Sequence, residues 1–288
     1  MAGLRSARVT VLVENSTVFI DGRIAEYGLS MLVEATLDNG DSVLVLLDTG
    51  QTGRPLLHNL EAEGVKPSEI DYLVLSHRHS DHTGGLKAFL EARRGKPIPV
   101  IAHPGLFEPS VAVVDGVLYE IGMPITRNEA ESLGARFVLT REPLQIVPGV
   151  WFSGEVPSRW GPRHTKLVYR IEDGRLVEDE MRDDAFLALS VGRETYVITG
   201  CGHAGVENIL GYASEITGNP VAGLIGGLHL FGVSGERVEE IIEALRKHPL
   251  KILAGMHCTG PFIQERLRRE FPQAYRLMAT GSRARLPP

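Results

Sequence analysis

The chain has 288 residues, enough for one large domain or two small ones and for a sizeable buried core. Apolar residues make up 43% of it and charged residues 23%, which is ordinary for a soluble globular protein and gives no sign of disorder. The net charge of -6 leaves no basic domain or stripe of the kind that binds nucleic acid, so a nucleic-acid partner is disfavoured.

The apolar pattern contains neither a signal-peptide core nor a membrane span. Residues 1–8 pass directly into an alternating strand pattern, and no run approaches the roughly 18 to 20 apolar residues of a transmembrane helix. The two cysteines, Cys201 and Cys258, each lie close to a histidine that is a candidate metal ligand, which argues against a structural disulfide framework. We therefore expect a cytoplasmic protein without a membrane partner.

The N-terminal part has the period-2 pattern of β-strands. An Asp-Asn-Gly-Asp hairpin turn at 38–41 and a short helix at 54–64 punctuate it. The predicted strands are residues 9–13, 18–20, 29–37 and 42–47.

The most informative stretch is residues 73–85, where an apolar strand runs into Ser-His-Arg-His-Ser-Asp-His-Thr-Gly-Gly. In extended backbone, residues two apart point to the same side, so His77 and His79 can bind one ion. The chain must then turn into a helix, and this turn directs Asp81 and His82 to a second ion beside the first. The alternative is a polar loop with a helix cap and solvated histidines, but a cap needs one polar side chain and not three imidazoles. The stretch therefore predicts a site for two metal ions.

In the C-terminal part, the order strand, histidine loop, helix occurs three times. The strands are predicted at 194–199, 221–225 and 251–254, and the loops after them contain His203, His229 and His257. The helices are predicted at 204–217, at 236–247 and from Pro261 onwards. Such repetition is typical of α/β architectures, in which several loops meet at one sheet edge.

Residues 104–185 form the least regular part, in which prolines and glycines separate short β-like pieces. A segment of this kind inside a compact domain is often a lid or a binding loop. We expect it to cap the site and to set substrate choice. Its aromatic residues would either form a wall against a flat ring of the substrate or pack in the core; these are Trp151, Phe152 and Trp160. Nothing in this segment reads as a separate domain, so residues 1–288 are predicted to form a single domain.

The stretch at 77–82 resembles the His-x-His-x-Asp-His signature of the metallo-β-lactamase superfamily. Asp48-Thr-Gly50 is similar to its earlier turn, and Gly200-Cys-Gly-His-Ala-Gly205 to a later ligand loop. Two further motifs resemble one subgroup of the superfamily: Gly226-Gly-Leu-His-Leu230 and Met256-His-Cys-Thr-Gly260. This subgroup is typified by a methanopterin-pathway synthase that joins a dihydropterin methyl diphosphate to a ribofuranosylaminobenzene phosphate. The resemblance implies an α/β fold, an αβ/βα four-layer sandwich with the metal site at the sheet edge.

The resemblance also implies a dinuclear site with two divalent metal ions. We expect zinc, although manganese and iron also suit imidazole and carboxylate ligands. His203 and His257 enter the ligand set by their loops, and a hydrogen-bonded buried histidine is the alternative for each. The expected ligands are His77, His79 and His203 for one ion, and Asp81, His82 and His257 for the other.

Four positions depart from the usual pattern of the superfamily or extend it. Cys201 stands where a bridging aspartate is usual, and only His164 lies in the interval where many members have a further histidine. Cys201 as a thiolate ligand and Asp184 as a substitute ligand or substrate contact are therefore open possibilities. Asp48 is expected to hold a ligand histidine or the loop backbone by hydrogen bonds, with a simple Asx turn as the alternative.

The function implied is a metal-dependent hydrolase, a phosphodiesterase or esterase that acts on a small phosphate-bearing or ester substrate through a metal-activated water. Asp81 would orient the nucleophile or accept its proton. His229 would bind the substrate or protonate the leaving group, unless it is a core histidine.

Two other functions compete with the hydrolase. The subgroup implies a transferase that releases diphosphate when an arylamine attacks the pterin methylene carbon, and the same ligands serve both chemistries. A non-catalytic metal or oxygen-redox module is weaker, because we find no flavodoxin-like second domain for electron delivery within the 288 residues. The oligomeric state does not follow from the sequence.

Overall fold

The computed structural model describes residues 3–18 and 22–288, so residues 19 and 20 of the strand predicted at 18–20 lie outside the described residues. The strands are β1 Leu4–Val13, β2 Ser30–Leu37, β3 Ser42–Leu47, β4 Tyr72–Val74, β5 Ile98–Ala102, β6 Val111–Val114, β7 Val117–Glu120, β8 Ala135–Leu139, β9 Leu144–Val147, β10 Val150–Phe152, β11 Val168–Glu172, β12 Arg175–Glu178, β13 Phe186–Val191, β14 Glu194–Thr199, β15 Val221–Gly227, β16 Ile252–Met256 and β17 Arg283–Leu286.

The helices are mostly short and alternate with strands in each half of the chain. Within 3–18 and 22–288, none of them combines the length and the apolar character needed to cross a membrane. The α-helices are α1 Arg54–Ala62, α2 Ser80–Thr83, α3 Leu86–Ala92, α4 Arg127–Ser132, α5 Val206–Thr217, α6 Gly235–Arg246 and α7 Pro261–Glu270.

The main sheet is folded into two halves. In the first half β1, β2 and β3 are antiparallel, and β3, β4, β5 and β8 follow side by side in parallel. In the second half β13 and β14 are antiparallel, and β14, β15 and β16 are parallel. The halves are joined by the pair Leu4 and Val191, and β17 adds to β1.

Three apolar layers show how the halves pack. An inner core between the two half-sheets includes Val33, Leu47 and Ile225. One outer core places α1 and α3 on the first half, with Leu56 and Phe89 fully buried, and the other covers the second half with α5, α6 and α7. Each such side chain contributes about 1.5–3 kcal/mol by leaving water. The order helices, sheet, sheet, helices confirms the predicted αβ/βα sandwich.

The segment 104–185 is more regular than its prolines and glycines indicated. Strands β6, β7, β11 and β12 form a separate four-stranded antiparallel sheet, while β8, β9 and β10 extend the main one. Two hairpins in this sheet turn on Asp115-Gly116 and Asp173-Gly174, whose positive φ values suit a tight two-residue turn. Its role as a lid stays a prediction.

The aromatic residues of this segment do not form one wall. Phe152 is fully buried in the inner core, and Trp151 packs against the core under α5. Trp160 is 42% exposed and lies against Gly211 of α5. The packed-core alternative therefore holds for Trp151 and Phe152.

Candidate metal centre

The predicted ligand loops converge at one edge of the sandwich. His77 and His79 follow β4, and the other loops follow the parallel strands β14, β15 and β16. Because parallel strands end at the same edge, each of these loops emerges beside the next. The structure thereby brings together side chains separated by up to 180 positions in the chain, from His77 to His257.

His77, His79 and His203 form one group of imidazoles. Their ring centroids lie 4.6 Å apart for His77 and His79, 5.1 Å for His77 and His203, and 5.0 Å for His79 and His203. The Nε2 atom of each is buried without a hydrogen-bond partner among the described residues. Burial lowers the pKa of His79 to about 4 and holds the pKa of His77 and His203 well below the usual range. Neutral imidazoles with a free Nε2 are what a metal ion needs.

Asp81, His82, Cys201 and His257 form a second group, with ligand atoms within 4.8 Å of one another. Asp81 Oδ2 lies 3.1 Å from His257 Nε2 and 3.7 Å from His82 Nε2. Burial opposes ionisation of Asp81, but His82 and His257 outweigh it and hold the pKa of its carboxyl well below the usual range. A buried carboxylate surrounded by imidazoles is a second place where a cation fits.

The Cys201 thiol lies between the two groups. Its Sγ is 3.1 Å from His82 Nε2 and within 4.8 Å of the ligand atoms of His77 and His203. Burial raises the pKa of this thiol well above its usual value, so only a strong cation nearby would favour the thiolate. Cys201 therefore lies within reach of both groups of candidate ligands.

Four of the five candidate ligand histidines have a contact partner for Nδ1 among the described residues. A carbonyl or carboxylate oxygen can only accept, so such a contact places a proton on Nδ1. In His77 and His203, whose Nε2 atoms have no partner among the described residues, the Nε2 lone pair is left for an ion. The four Nδ1 contacts are His77 to Ser76 Oγ at 2.9 Å, His82 to Asp48 Oδ2 at 2.7 Å, His203 to the His164 carbonyl at 2.9 Å and His257 to Asn15 Oδ1 at 2.9 Å.

Asp48 makes the contacts expected of it from the sequence. Its two oxygens accept from the Ser76 N–H and hydroxyl, both at 2.7 Å, and from His82. The Ser76 hydroxyl donates to Asp48, so it must accept from His77. One buried carboxylate thus orients a histidine in each group.

Asp184 and His164 do not join the two groups. Asp184 accepts the Ala204 N–H at 2.9 Å through Oδ2, its Oδ1 is buried without a partner among the described residues, and burial raises its pKa to about 7. His164 contributes its backbone carbonyl to His203, while its ring lies near the Leu228 carbonyl and Arg237.

Several residues at the site were missed by sequence reasoning. Glu14 accepts the His257 N–H at 2.9 Å and Asn15 holds its ring, directly after strand β1. The signal was a polar pair that follows an apolar run. Arg78, between two ligand histidines, is 2% exposed and forms ion pairs with Asp179 and Asp183. Nothing in the local sequence indicated that pairing.

Comparison with known proteins identifies the family of this chain. The family described as the metallo-beta-lactamase superfamily matches residues 24–213. The chain is 32% identical over 263 residues to 7,8-dihydropterin-6-methyl-4-(beta-D-ribofuranosyl)-aminobenzene-5'-phosphate synthase of Methanocaldococcus jannaschii, covering 89% of each. An uncharacterised protein of the same organism is 33% identical over 254 residues, covering 88% of this chain and 90% of that one.

Solved structures share the fold. Tm1679, described as a metal-dependent hydrolase of the beta-lactamase superfamily, superposes with a TM-score of 0.80 at 24% identity over 96% of this chain and 98% of that one. A diphosphatase of the PhnP family superposes with a TM-score of 0.52 at 14% identity over 98% of each chain. The chain belongs to the metallo-β-lactamase superfamily.

Proposed function

We propose that the protein is a metal-dependent hydrolase of small phosphate-bearing or ester substrates. The observation that carries this proposal is the set of three buried, unpartnered Nε2 atoms next to a buried carboxylate group, with a thiol between them. The first ion would be held by His77, His79 and His203, and the second by Asp81, His82 and His257, with Cys201 touching both. Zinc is the expected metal, because imidazole, carboxylate and thiolate all suit it.

Bound divalent ions supply a Lewis acid for the scissile group and lower the pKa of a bound water from about 15.7 to about 7. Asp81 contributes a carboxylate that is ionised at neutral pH and can orient a water molecule and accept its proton. The ring of His229 lies against that of His203, with a centroid distance of 3.9 Å and an interplanar angle of 43°, which places it beside the first group. Its role as a substrate contact or acid remains a prediction.

A second candidate is the transferase reaction. The observation in its favour is the 32% identity to the M. jannaschii synthase over 89% of both chains. In that case the same ligands would bind the diphosphate leaving group, and an arylamine would take the place of water. The structural neighbours below 25% identity support the fold and do not choose between these reactions.

Mass spectrometry of the products tests both candidates. Zinc- or manganese-loaded protein is given a dihydropterin methyl diphosphate with and without ribofuranosylaminobenzene phosphate, and in parallel a panel of phosphodiesters and esters. Water-derived products without coupling support the hydrolase, whereas a coupled product that needs both substrates supports the synthase. Turnover by the reaction that operates should fall at least about a hundredfold in Asp81→Asn. Full metal-dependent turnover by that variant would show that the role given to Asp81 is wrong.

A further inference from the structure

A third group of ligand atoms lies next to the two already described. Cys201 Sγ, a ring nitrogen of His229 and Cys258 Sγ all lie within 4.8 Å of one another. Cys201 is buried, whereas His229 and Cys258 are partly exposed. An ion could therefore reach this group from solvent, which is a requirement for a metal site.

One ring nitrogen of this group lacks a hydrogen-bond partner within the described part of the chain. The Cys258 thiol accepts the His229 backbone N–H at 3.3 Å, can donate to the Cys201 carbonyl at 3.4 Å, and also interacts with the Cys201 and His229 side chains. The His229 Nδ1 atom is buried and has no partner among the described residues. A buried imidazole nitrogen without a partner is unfavourable unless something binds it.

The backbone brings the two thiols together at Gly227. A Cβ atom at this residue would lie 2.8 Å from Cys258 Sγ and 3.1 Å from the Cys201 Cα atom, so only glycine lets the loops approach this closely. His229, two residues later, has a φ of 46°, a left-handed backbone conformation that is unfavourable for a non-glycine residue. The surrounding structure thus holds the backbone of His229 in a strained conformation beside the two sulfur atoms.

We propose that Cys201, His229 and Cys258 form a third metal position, one that prefers thiophilic ions such as Zn²⁺ and Cd²⁺. Two thiolates and an imidazole are a soft ligand set, and three protein ligands leave the fourth tetrahedral place open to water or substrate. On binding, each thiol releases its proton to solvent and the dication is held by two thiolates. Because Cys201 belongs to all three groups of ligand atoms, this ion adjoins the dinuclear centre and adds to its two ions.

The assignment also bears on His229 itself. An imidazole bound to a metal ion through its ring nitrogen cannot protonate a leaving group with that nitrogen. The metal count therefore decides between this role and the acid role predicted from the sequence.

Cadmium titration of the reduced, chelator-stripped full-length chain tests the proposal. Bound ions are counted by mass spectrometry and thiolate ligands by the thiolate-to-cadmium absorption. Cys258→Ser should bind one ion fewer than the wild type and lose half of that absorption, because Cys258 belongs to neither group of the dinuclear centre. Cys201→Ser is the matched control and should affect all three groups. Equal ion counts and equal absorption in wild type and Cys258→Ser would overturn the proposal.

The number of ions bound by Cys258→Ser tests the third position separately from the dinuclear centre. Two ions in this variant would support the dinuclear centre whether or not the wild type binds a third. A measurement on the unsubstituted chain covers the case in which Cys258→Ser fails to fold. Alkylation of Cys258 by iodoacetamide should continue after two cadmium equivalents and be lost after the third. Alkylation that continues at saturating cadmium would contradict the proposal.

Discussion

Asp48 shows how one residue without a predicted metal bond can set the chemistry of several that have one. It accepts hydrogen bonds from Nδ1 of His82 and from the Ser76 hydroxyl, and that hydroxyl in turn accepts a hydrogen bond from Nδ1 of His77. Both imidazoles therefore carry a proton on Nδ1. A histidine without such a partner can place its proton on Nε2 and lose its affinity for a metal.

Asp48→Asn should weaken zinc binding by about 10–100-fold, because an asparagine cannot accept protons at both side-chain atoms. Competition with a chromophoric chelator measures the affinity, and circular dichroism checks that the variant is folded. Glu61→Gln, an exposed substitution on α1, is the control and should bind zinc like the wild type. Unchanged affinity in Asp48→Asn would mean that the hydrogen bonds around Asp48 do not orient the ligands.

At the scale of elements, the loop after β4 is held in place by the segment before β13. Arg78 lies fully inside the protein, donates its backbone N–H to Asp183 at 2.9 Å and pairs through its guanidinium with Asp179 and Asp183. Charges so deeply buried are tolerated only when they are paired. This cluster links the loop carrying His77 and His79 to a part of the chain about 100 residues away.

Arg78→Met should lower the free energy of unfolding by about 3–5 kcal/mol, because it leaves two buried carboxylates without their cation. The exposed pair Arg127 and Glu131 on α4 provides the control, and Arg127→Ala should cost less than about 1 kcal/mol. Denaturant unfolding of the two variants and the wild type measures both values. Equal stability of Arg78→Met and Arg127→Ala would contradict the structural role of the cluster.

Elements with a strong local pattern were predictable. Strands β3 and β14 have the predicted bounds, and α7 begins at the predicted Pro261. Short β-like pieces were predicted within residues 104–185, but the separate sheet of β6, β7, β11 and β12 was missed, although Asp115-Gly116 and Asp173-Gly174 are hairpin signals that could have revealed it. Their side chains are largely exposed, so the alternation of apolar and polar residues is weak there.

For the whole molecule, the repeated order of strand, histidine loop and helix predicted the edge where the ligand loops meet, whereas the four layers were predicted from the family resemblance. The position of the loops follows from the rule that parallel strands end at one edge. The contacts of Glu14 and Asn15 with His257, and the place of Cys201 between the two groups, depend on residues far apart in the chain. Such distances are fixed only by packing, which local patterns do not describe.

The central claim is that the two ligand groups make this chain a metal-dependent enzyme, and chelation tests it most directly. Turnover of the substrate panel is followed in the purified chain, after removal of metal, and after zinc or manganese is restored. We predict that turnover disappears with the metal, returns with either ion in the wild type and does not return in His77→Ala. Turnover that persists in protein shown by elemental analysis to be free of metal would contradict the claim.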